Sequence, residues 1–274
     1  MPVLKKKSCL SKDKAMNQLD VDKVNLAKSY QPILIILLMF FAFVSFGGIG
    51  ALLGNAISNV KGIDVTSIME GGGDQILGFS ERQSIRWANF ISHFFAFTVA
   101  SFLVAFLYKS KKSVIEFLGL DKGVSGSKIF WSIVALILIF PAIQLIYWLN
   151  LQLPLPEWMM EMGKSQDWLV AEVLRMEHFN ELFFVLLIAA VAPAIGEELL
   201  FRGVVQPQFS KIFNNPHLGV WVTAFIFSAI HMQFAGFFPR FFLGAFLGYL
   251  YLWSGSLWLP ILIHFIFQFR KRAF

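Results

Sequence analysis

The chain has 274 residues, of which 57% are hydrophobic and only 15% are charged, and its mean hydropathy is +0.66. Soluble domains carry charge on about a quarter of their residues, so this composition excludes a soluble layered fold and indicates a polytopic membrane protein. The net charge is +6, but the excess lies in the flanks of the apolar segments, so no nucleic-acid partner is expected. The single cysteine, Cys9, excludes an intramolecular disulfide.

Seven apolar runs are candidates for membrane spans. A spanning helix needs about 20 apolar residues, because each residue rises about 1.5 Å through a hydrocarbon core of about 30 Å. The sequence therefore predicts an all-α fold, a polytopic transmembrane helical bundle with about seven spans. The segment before the first run is too long and polar for a cleaved signal, so that run is expected to be a retained span. The candidates lie near residues 32–57, 86–108, 129–150, 180–200, 219–236, 238–254 and 257–269.

Basic residues in the flanks predict the orientation, because loops rich in lysine and arginine stay in the cytosol. Residues 1–30 carry seven lysines and residues 109–128 carry five. Residues 151–179 instead carry five carboxylates against two basic residues, and part of this stretch can form an amphipathic surface helix. We therefore expect the N-terminus to be cytosolic and residues 58–85 and 151–179 to be extracytoplasmic. The fourth span then ends in the cytosol.

A charged motif, "IGEELLFRGVVQP" at 195–207, closes this fourth span. Ionisable groups in a bilayer are costly and usually mark a functional site. On a helix, Glu198 and Arg202 are four residues apart and can form an ion pair. Glu197 points about 100° away, so it is free to act as a general base beside a paired carboxylate. The alternative is that all three groups are solvated at the headgroup boundary.

Two histidines follow this motif in later spans, His231 in "FIFSAIHMQF" and His264 in "LPILIHFIFQF". Gln268 lies four residues after His264 and shares its helical face. Carboxylate, imidazoles and amide together form a hydrolytic set, with a base, an electrophile or metal ligands, and an oxyanion donor. The alternative is that each histidine is only a hydrogen-bonding group between helices.

These motifs resemble those of a known family. "EELLFR" at 197–202, Phe227 with His231, and His264 are similar to the three motifs of the CPBP family of intramembrane proteases. That family is related to the type II CAAX prenyl endopeptidase and to bacteriocin-processing and self-immunity proteins, also called the ABI family. The resemblance covers roughly residues 178–269. It divides the chain into a cytosolic basic segment, N-terminal transmembrane helices with their loops, and a CPBP-like catalytic region, at 1–30, 31–177 and 178–274.

The resemblance implies a role for each motif residue. Glu197 activates the attacking water with His231, while His264 stabilises the oxyanion together with the residue four positions on. The family usually has asparagine there, and this chain has Gln268. A zinc ion with an open position would suit the resemblance, and a metal-free glutamate mechanism is equally compatible with it. The implied catalytic set is Glu197, Glu198, Arg202, His231, His264 and Gln268, and the implied metal ligands are Glu197, His231 and His264.

The resemblance also predicts the function. We expect an intramembrane endopeptidase that hydrolyses peptide bonds of membrane-associated proteins or peptides in a cytosol-facing cavity. Its setting would be the lipid bilayer of a bacterial inner membrane, with the N-terminus in the cytosol. Whether the substrate is prenylated is open. The alternative is a catalytically silent immunity or scaffold protein of the same family.

Other intramembrane chemistries fit the sequence less well. "GVSG" at 123–126 resembles a rhomboid serine motif but lies in a lysine-rich loop without a histidine partner. "GGGD" at 71–74 resembles a presenilin-type motif, yet the sequence offers no second intramembrane aspartate. No His-Glu-x-x-His occurs, which excludes a site-2-type zinc protease.

Some residues in the spans have structural interpretations. His93, in the second span, has no partner motif, and we expect it to pack or to form hydrogen bonds. Two pairs of glycines four residues apart let helices approach closely. These pairs are Gly50 with Gly54 and Gly244 with Gly248.

The last apolar segment is short, and basic residues at 270–272 follow it. Seven spans would place these residues outside, against the charge rule. Either the basic tail reaches the membrane surface from a short helix, or a longer helix and its asparagine have been lost. Under the second hypothesis, which we favour from the sequence, Gln268→Asn raises activity several-fold, and under the first it is neutral or harmful.

Overall fold

The computed structural model describes residues 3–70, 76–109 and 112–273, with side chains from residue 29 onward except at 70, 165 and 270–273. The side chain of Cys9, the GGGD stretch and the basic side chains at 270–272 therefore lie outside the described residues. Every regular element within these ranges is helical, which confirms the predicted all-α fold.

The helices follow one another with short connections. A single 3₁₀ turn, Phe234–Gly236, precedes α9. In chain order they are α1 Val3–Asn59, α2 Val65–Glu70, α3 Phe79–Tyr108, α4 Val114–Leu118, α5 Gly126–Leu151, α6 Glu157–Leu174, α7 Glu181–Ile212, α8 Pro216–Ala229, α9 Phe237–Ser254 and α10 Trp258–Ala273.

Five helices of the described chain are long and apolar enough to cross a membrane. They are α1 from Ser29 onward, α3, α5, α7, and α9 with its preceding turn. The apolar segments of α8 and α10 are shorter. The fold is thus a helical membrane bundle, and each predicted span corresponds to one of these seven helices. The amphipathic helix expected before the fourth span is present as α6.

Two predicted span boundaries are wrong. The fourth run continues to Ile212, so α7 has 32 residues and Glu197 lies near its middle instead of at its end. The fifth run stops being helical at Ala229 after 14 residues, so His231 lies just beyond α8. There Met232 has a left-handed backbone with φ of 52° and Gln233 is extended, which ends the helix.

The glycine pairs confirm the predicted close approach of helices. A Cβ on Gly50 would lie 2.7 Å from the Cα of Ser92, and one on Gly54 would lie 2.6 Å from the Cα of Ala88. Helix α1 therefore packs directly on the α3 backbone. A Cβ on Gly244 would lie 3.0 Å from the Phe227 ring, so α9 packs equally closely on α8.

Two buried arginines bind α3 to the segment that leads into α7. Arg86 donates to Glu181 at 2.5 Å and to the carbonyl of Val173 at 2.9 Å. Arg82 lies 2.9 Å from a carboxylate oxygen of Glu177, and this guanidinium holds the pKa of Glu177 below its usual value. These contacts fix α3 beside the first turns of α7, the helix that carries the charged motif.

The segment after His231 is held by side chains from two helices. The Asn150 amide donates to the carbonyl of Phe234 at 3.1 Å, and its oxygen accepts from the Phe238 N–H at 3.0 Å. Arg240 donates to the Gln233 side chain at 2.8 Å and also to its carbonyl. The turn that carries His231 is therefore anchored although it is not helical.

Candidate active site

Glu198 is the centre of a buried ionic cluster. Its Oε1 accepts hydrogen bonds from Arg202 Nη1 at 2.7 Å and from His264 Nδ1 at 2.8 Å. Arg202 also donates to the carbonyl of Gly244 at 2.8 Å, and Glu198, Arg202 and His264 are each 0% exposed. The predicted i,i+4 ion pair is present. It joins α7 to α9 and α10, so it is a structural element as well as a part of the site.

Phe227, a residue of the second motif, packs on this cluster. The Arg202 guanidinium lies 4.9 Å from the centre of the Phe227 ring, within the range of a cation–π interaction. The same ring makes an edge contact with Phe201 at 5.1 Å. The aromatic residue therefore helps to hold a buried cation whose nearest ion-pair partner is a single carboxylate.

Glu197 has different neighbours from Glu198. Its side chain is 8% exposed, and its two oxygens face two imidazoles on different helices. Oε1 lies 3.7 Å from His93 Nε2, and Oε2 lies 3.9 Å from His264 Nε2. Neither distance is that of a hydrogen bond. Glu197 is thus a buried carboxylate near imidazoles but not locked by an ion pair with arginine, the environment that the sequence predicted for a base.

The contacts of His264 determine its tautomer. An ionised carboxylate only accepts hydrogen bonds, so the proton of neutral His264 lies on Nδ1, which contacts Glu198. Its Nε2 is then a lone pair, which accepts a hydrogen bond from the Gln268 amide at 3.3 Å. To donate to an oxyanion from Nε2, His264 must carry a proton on both nitrogens. Glutamine, although one methylene longer than asparagine, reaches the imidazole.

His231 lies apart from Glu197. Its Nδ1 contacts the carbonyl of Phe227 at 2.8 Å, so Nδ1 donates and Nε2 is a lone pair. In the described part of the chain, no ion pair within 4 Å joins His231 to either glutamate of the motif. A partnership between His231 and Glu197 therefore needs a molecule between them.

The metal prediction has a chemical argument in its favour and a geometric one against it. An Nε2 lone pair, present on both His231 and His264, is what a metal ligand requires, and a carboxylate on the Nδ1 of His264 is the usual outer partner. Among the described residues, however, no three His, Cys, Asp or Glu side chains are grouped closely enough to hold a metal ion. Zinc bound by Glu197, His231 and His264 stays a prediction, and the proposed hydrolysis does not depend on it.

His93 is the residue at this site that the sequence interpretation did not assign. Its ring stacks on Phe97 at 4.3 Å, as a packing role predicts, but it also adjoins Glu197. A pattern in α3 pointed to it: Arg82, Arg86, Asn89 and His93 recur at helical spacing and form one polar stripe on an otherwise apolar span. The arginines of this stripe bind the α7 segment, so its last member faces α7 as well.

Comparisons with known proteins found a match over the segment that contains this site. The profile of the family described as "Type II CAAX prenyl endopeptidase Rce1-like" matches residues 179–270. "Uncharacterized protein YpbD" of Bacillus subtilis (strain 168) is 35% identical over 77 residues, which cover 27% of this chain and 36% of that relative. The chain thus matches about a third of the length of this curated relative. No solved structure matches the chain.

The matched segment begins just before α7 and contains all three motifs, from Glu197 to His264. It therefore includes both glutamates of the motif and the residues around them, but not His93, which lies in α3. Over residues 179–270, the chain is similar to the Rce1-like family of type II CAAX prenyl endopeptidases.

Proposed function

We propose that the chain is an intramembrane endopeptidase that hydrolyses peptide bonds of membrane-associated proteins or peptides, with Glu197 as the general base. One observation carries the proposal: of two adjacent buried carboxylates, Glu198 accepts hydrogen bonds from Arg202 and His264, while Glu197 has none from either. A base must be able to take up a proton during the reaction. Glu197 meets this requirement better than Glu198, whose charge is paired with the Arg202 guanidinium.

The reaction follows from the hydrogen-bonding capacity of the groups. A water between Glu197 and His231 donates one hydrogen to the carboxylate and the other to the His231 Nε2 lone pair. Its oxygen attacks the peptide carbonyl carbon, and Glu197 takes the proton. When the tetrahedral intermediate collapses, the C–N bond breaks and the leaving nitrogen receives that proton. Water, carboxylate and amide are the only reactants, so atoms and charges balance.

Charge on the carbonyl oxygen is stabilised from the α10 side. With a proton on both His264 nitrogens, its Nε2–H donates to the developing oxyanion, and the Gln268 amide supplies further hydrogens. Arg202 forms an ion pair with Glu198. In this division of roles the second glutamate acts through His264, without contact to the substrate.

A cleavage assay tests the proposal. The purified full chain in lipid nanodiscs is incubated with a pool of lipid-anchored peptides with randomised positions, made with and without a farnesyl group. New peptide ends are identified by mass spectrometry. We expect cleavage by the natural chain and none by Glu197→Gln, while Glu157→Gln, on the exposed side of α6, serves as the matched control. Products from the Glu197→Gln protein at the natural rate would show that another group is the base.

The two peptide pools address the substrate class. Preferential cleavage of farnesylated peptides would identify the substrates as prenylated. Equal cleavage of both pools would identify membrane-associated peptides in general. If the natural chain yields no products in the assay, the chain is a silent relative that binds or scaffolds.

A further inference from the structure

His93 lies at the catalytic carboxylate but outside the family segment. Its Nε2 is 3.7 Å from Glu197 Oε1, and it belongs to α3, more than 80 residues before the matched residues 179–270. Both ring nitrogens are buried without a hydrogen-bond partner among the described residues. Ring nitrogens buried without partners are costly, so their place beside a carboxylate calls for a function.

The other imidazoles cannot do what His93 can do for Glu197. The Nδ1 protons of His264 and His231 are donated to Glu198 and to the Phe227 carbonyl. Each neutral ring therefore presents only a lone pair on Nε2, which repels a carboxylate. Of the three histidines around the site, His93 alone has an uncommitted N–H to donate to Glu197 without first becoming charged.

Three features of the fold fix the position of His93. Its ring stacks on Phe97 with an interplanar angle of 19°, and the arginine anchors described above hold α3 against the start of α7. A Cβ on Gly196 would lie 3.0 Å from the His93 ring, so the glycine before Glu197 lets the imidazole reach this depth. The 3.7 Å between His93 Nε2 and Glu197 Oε1 can shorten when substrate binds, since catalytic hydrogen bonds are often long in the free enzyme.

We propose that His93 is a positioning residue for the reaction: its Nε2–H donates to Oε1 of Glu197 and keeps Oε2 directed at the attacking water. The carboxylate then has one oxygen held and one oxygen reactive. His93 acts through Glu197 and does not contact the substrate. This inference rests on the proposed endopeptidase function.

The test compares three replacements of His93 in the cleavage assay, by phenylalanine, glutamine and alanine. His93→Phe keeps a ring on Phe97 but removes both nitrogens, and we expect kcat to fall tenfold to a hundredfold, because misplacement by about 1 Å can cost about a hundredfold. KM should change less than twofold. His93→Gln keeps an N–H near Nε2 and should retain about a third of the natural kcat or more. The exposed His178, as His178→Phe, is the control and should leave kcat unchanged.

Chemical rescue separates positioning from packing. His93→Ala leaves a space that adjoins a cavity of about 220 Å³ lined by Asn89 and Gln166, so added imidazole can enter. We expect millimolar imidazole to raise kcat of His93→Ala at least fivefold, without effect on His93→Phe. Equal losses in all three variants with no rescue would overturn the proposal, as would an unchanged kcat in His93→Phe.

These outcomes are distinct from failure of the proposed function. If the natural chain cleaves peptides and Glu197→Gln does not, the function stands whatever His93 does. If the natural chain cleaves nothing, both proposals fall together.

Discussion

The Nδ1 of His264 and the Nη1 of Arg202 share one acceptor, Oε1 of Glu198, at 2.8 and 2.7 Å. A single oxygen thereby joins α7 to α10 across 66 residues of sequence. Because this oxygen accepts from two donors, the adjacent glutamates have different surroundings: Glu198 is bound by Arg202 and His264, and Glu197 is bound by neither.

Glu197→Gln should abolish cleavage without loss of folding. The amide cannot accept a proton from water, and removal of a general base costs on the order of a hundredfold or more in kcat. Glu197 makes no hydrogen bond to Arg202 or His264, so its replacement should shift the melting temperature of the protein by less than about 2 °C. Tryptophan fluorescence during heating and product formation by mass spectrometry measure the two quantities. A variant that is inactive because it is unfolded would give no information on catalysis, and the melting curve detects that case.

Arg202→Ala should lower both activity and stability. The change leaves Glu198 buried without its arginine, and breaking a buried ion pair by removing one partner costs about 3–5 kcal/mol. Unfolding of the purified protein in denaturant measures the loss. The matched control is Lys128→Ala at the start of α5, an exposed basic residue whose side chain has no such pair in the described structure. Equal stability of the two variants would contradict the assignment of Glu198 as the buried partner.

Gln268→Asn should leave activity equal or lower. Gln268 Nε2 already lies 3.3 Å from the His264 ring, and loss of a methylene withdraws the amide by more than 1 Å. The geometry thus favours the hypothesis in which glutamine serves the site as it stands. Steady-state kinetics of the variant against the natural chain measure the effect, and a several-fold gain would instead support an impaired oxyanion donor.

Gly196→Ala should destabilise the protein and reduce cleavage. The new Cβ would lie 2.9 Å from Phe97 Cβ and 3.0 Å from the His93 ring, so α3 and α7 must separate. Overpacking of this kind costs about 1–3 kcal/mol. Gly48→Ala is the matched control, because a Cβ at Gly48 meets no atom within 4 Å. Thermal unfolding of both variants decides whether close approach at Gly196 is required.

The predicted orientation can be tested by cysteine accessibility. In a Cys9→Ser background, a cysteine at Ser67 should react with a membrane-impermeant maleimide added to intact cells, and one at Ser125 should not. Both positions are exposed, at the start of α2 and just before α5. Labelling at position 125 from outside would reverse the orientation and place the base of the site on the other side of the membrane.

The sequence by itself determined that this protein is a bundle of membrane helices, and it determined the local part of its site. Apolar runs must become helices in a bilayer because every backbone N–H and C=O has to be satisfied within the segment. The Glu198–Arg202 pair follows from a spacing of four residues on one helix. Both results depend only on neighbours along the chain, and both agree with the structure.

Tertiary structure decided which groups meet. The approach of His93 to Glu197 depends on α3 packing against α7 at Gly196, and the contact of His264 with Glu198 depends on the packing of α10. The end of α8 before His231 depends on the anchors of the following turn. Helical periodicity shows which residues share a face, but it does not show which face of another helix lies opposite. That pairing of helix faces is set by close packing between segments distant in sequence. It is the reason why Glu198 is hydrogen-bonded by Arg202 and His264 while the adjacent Glu197 is not.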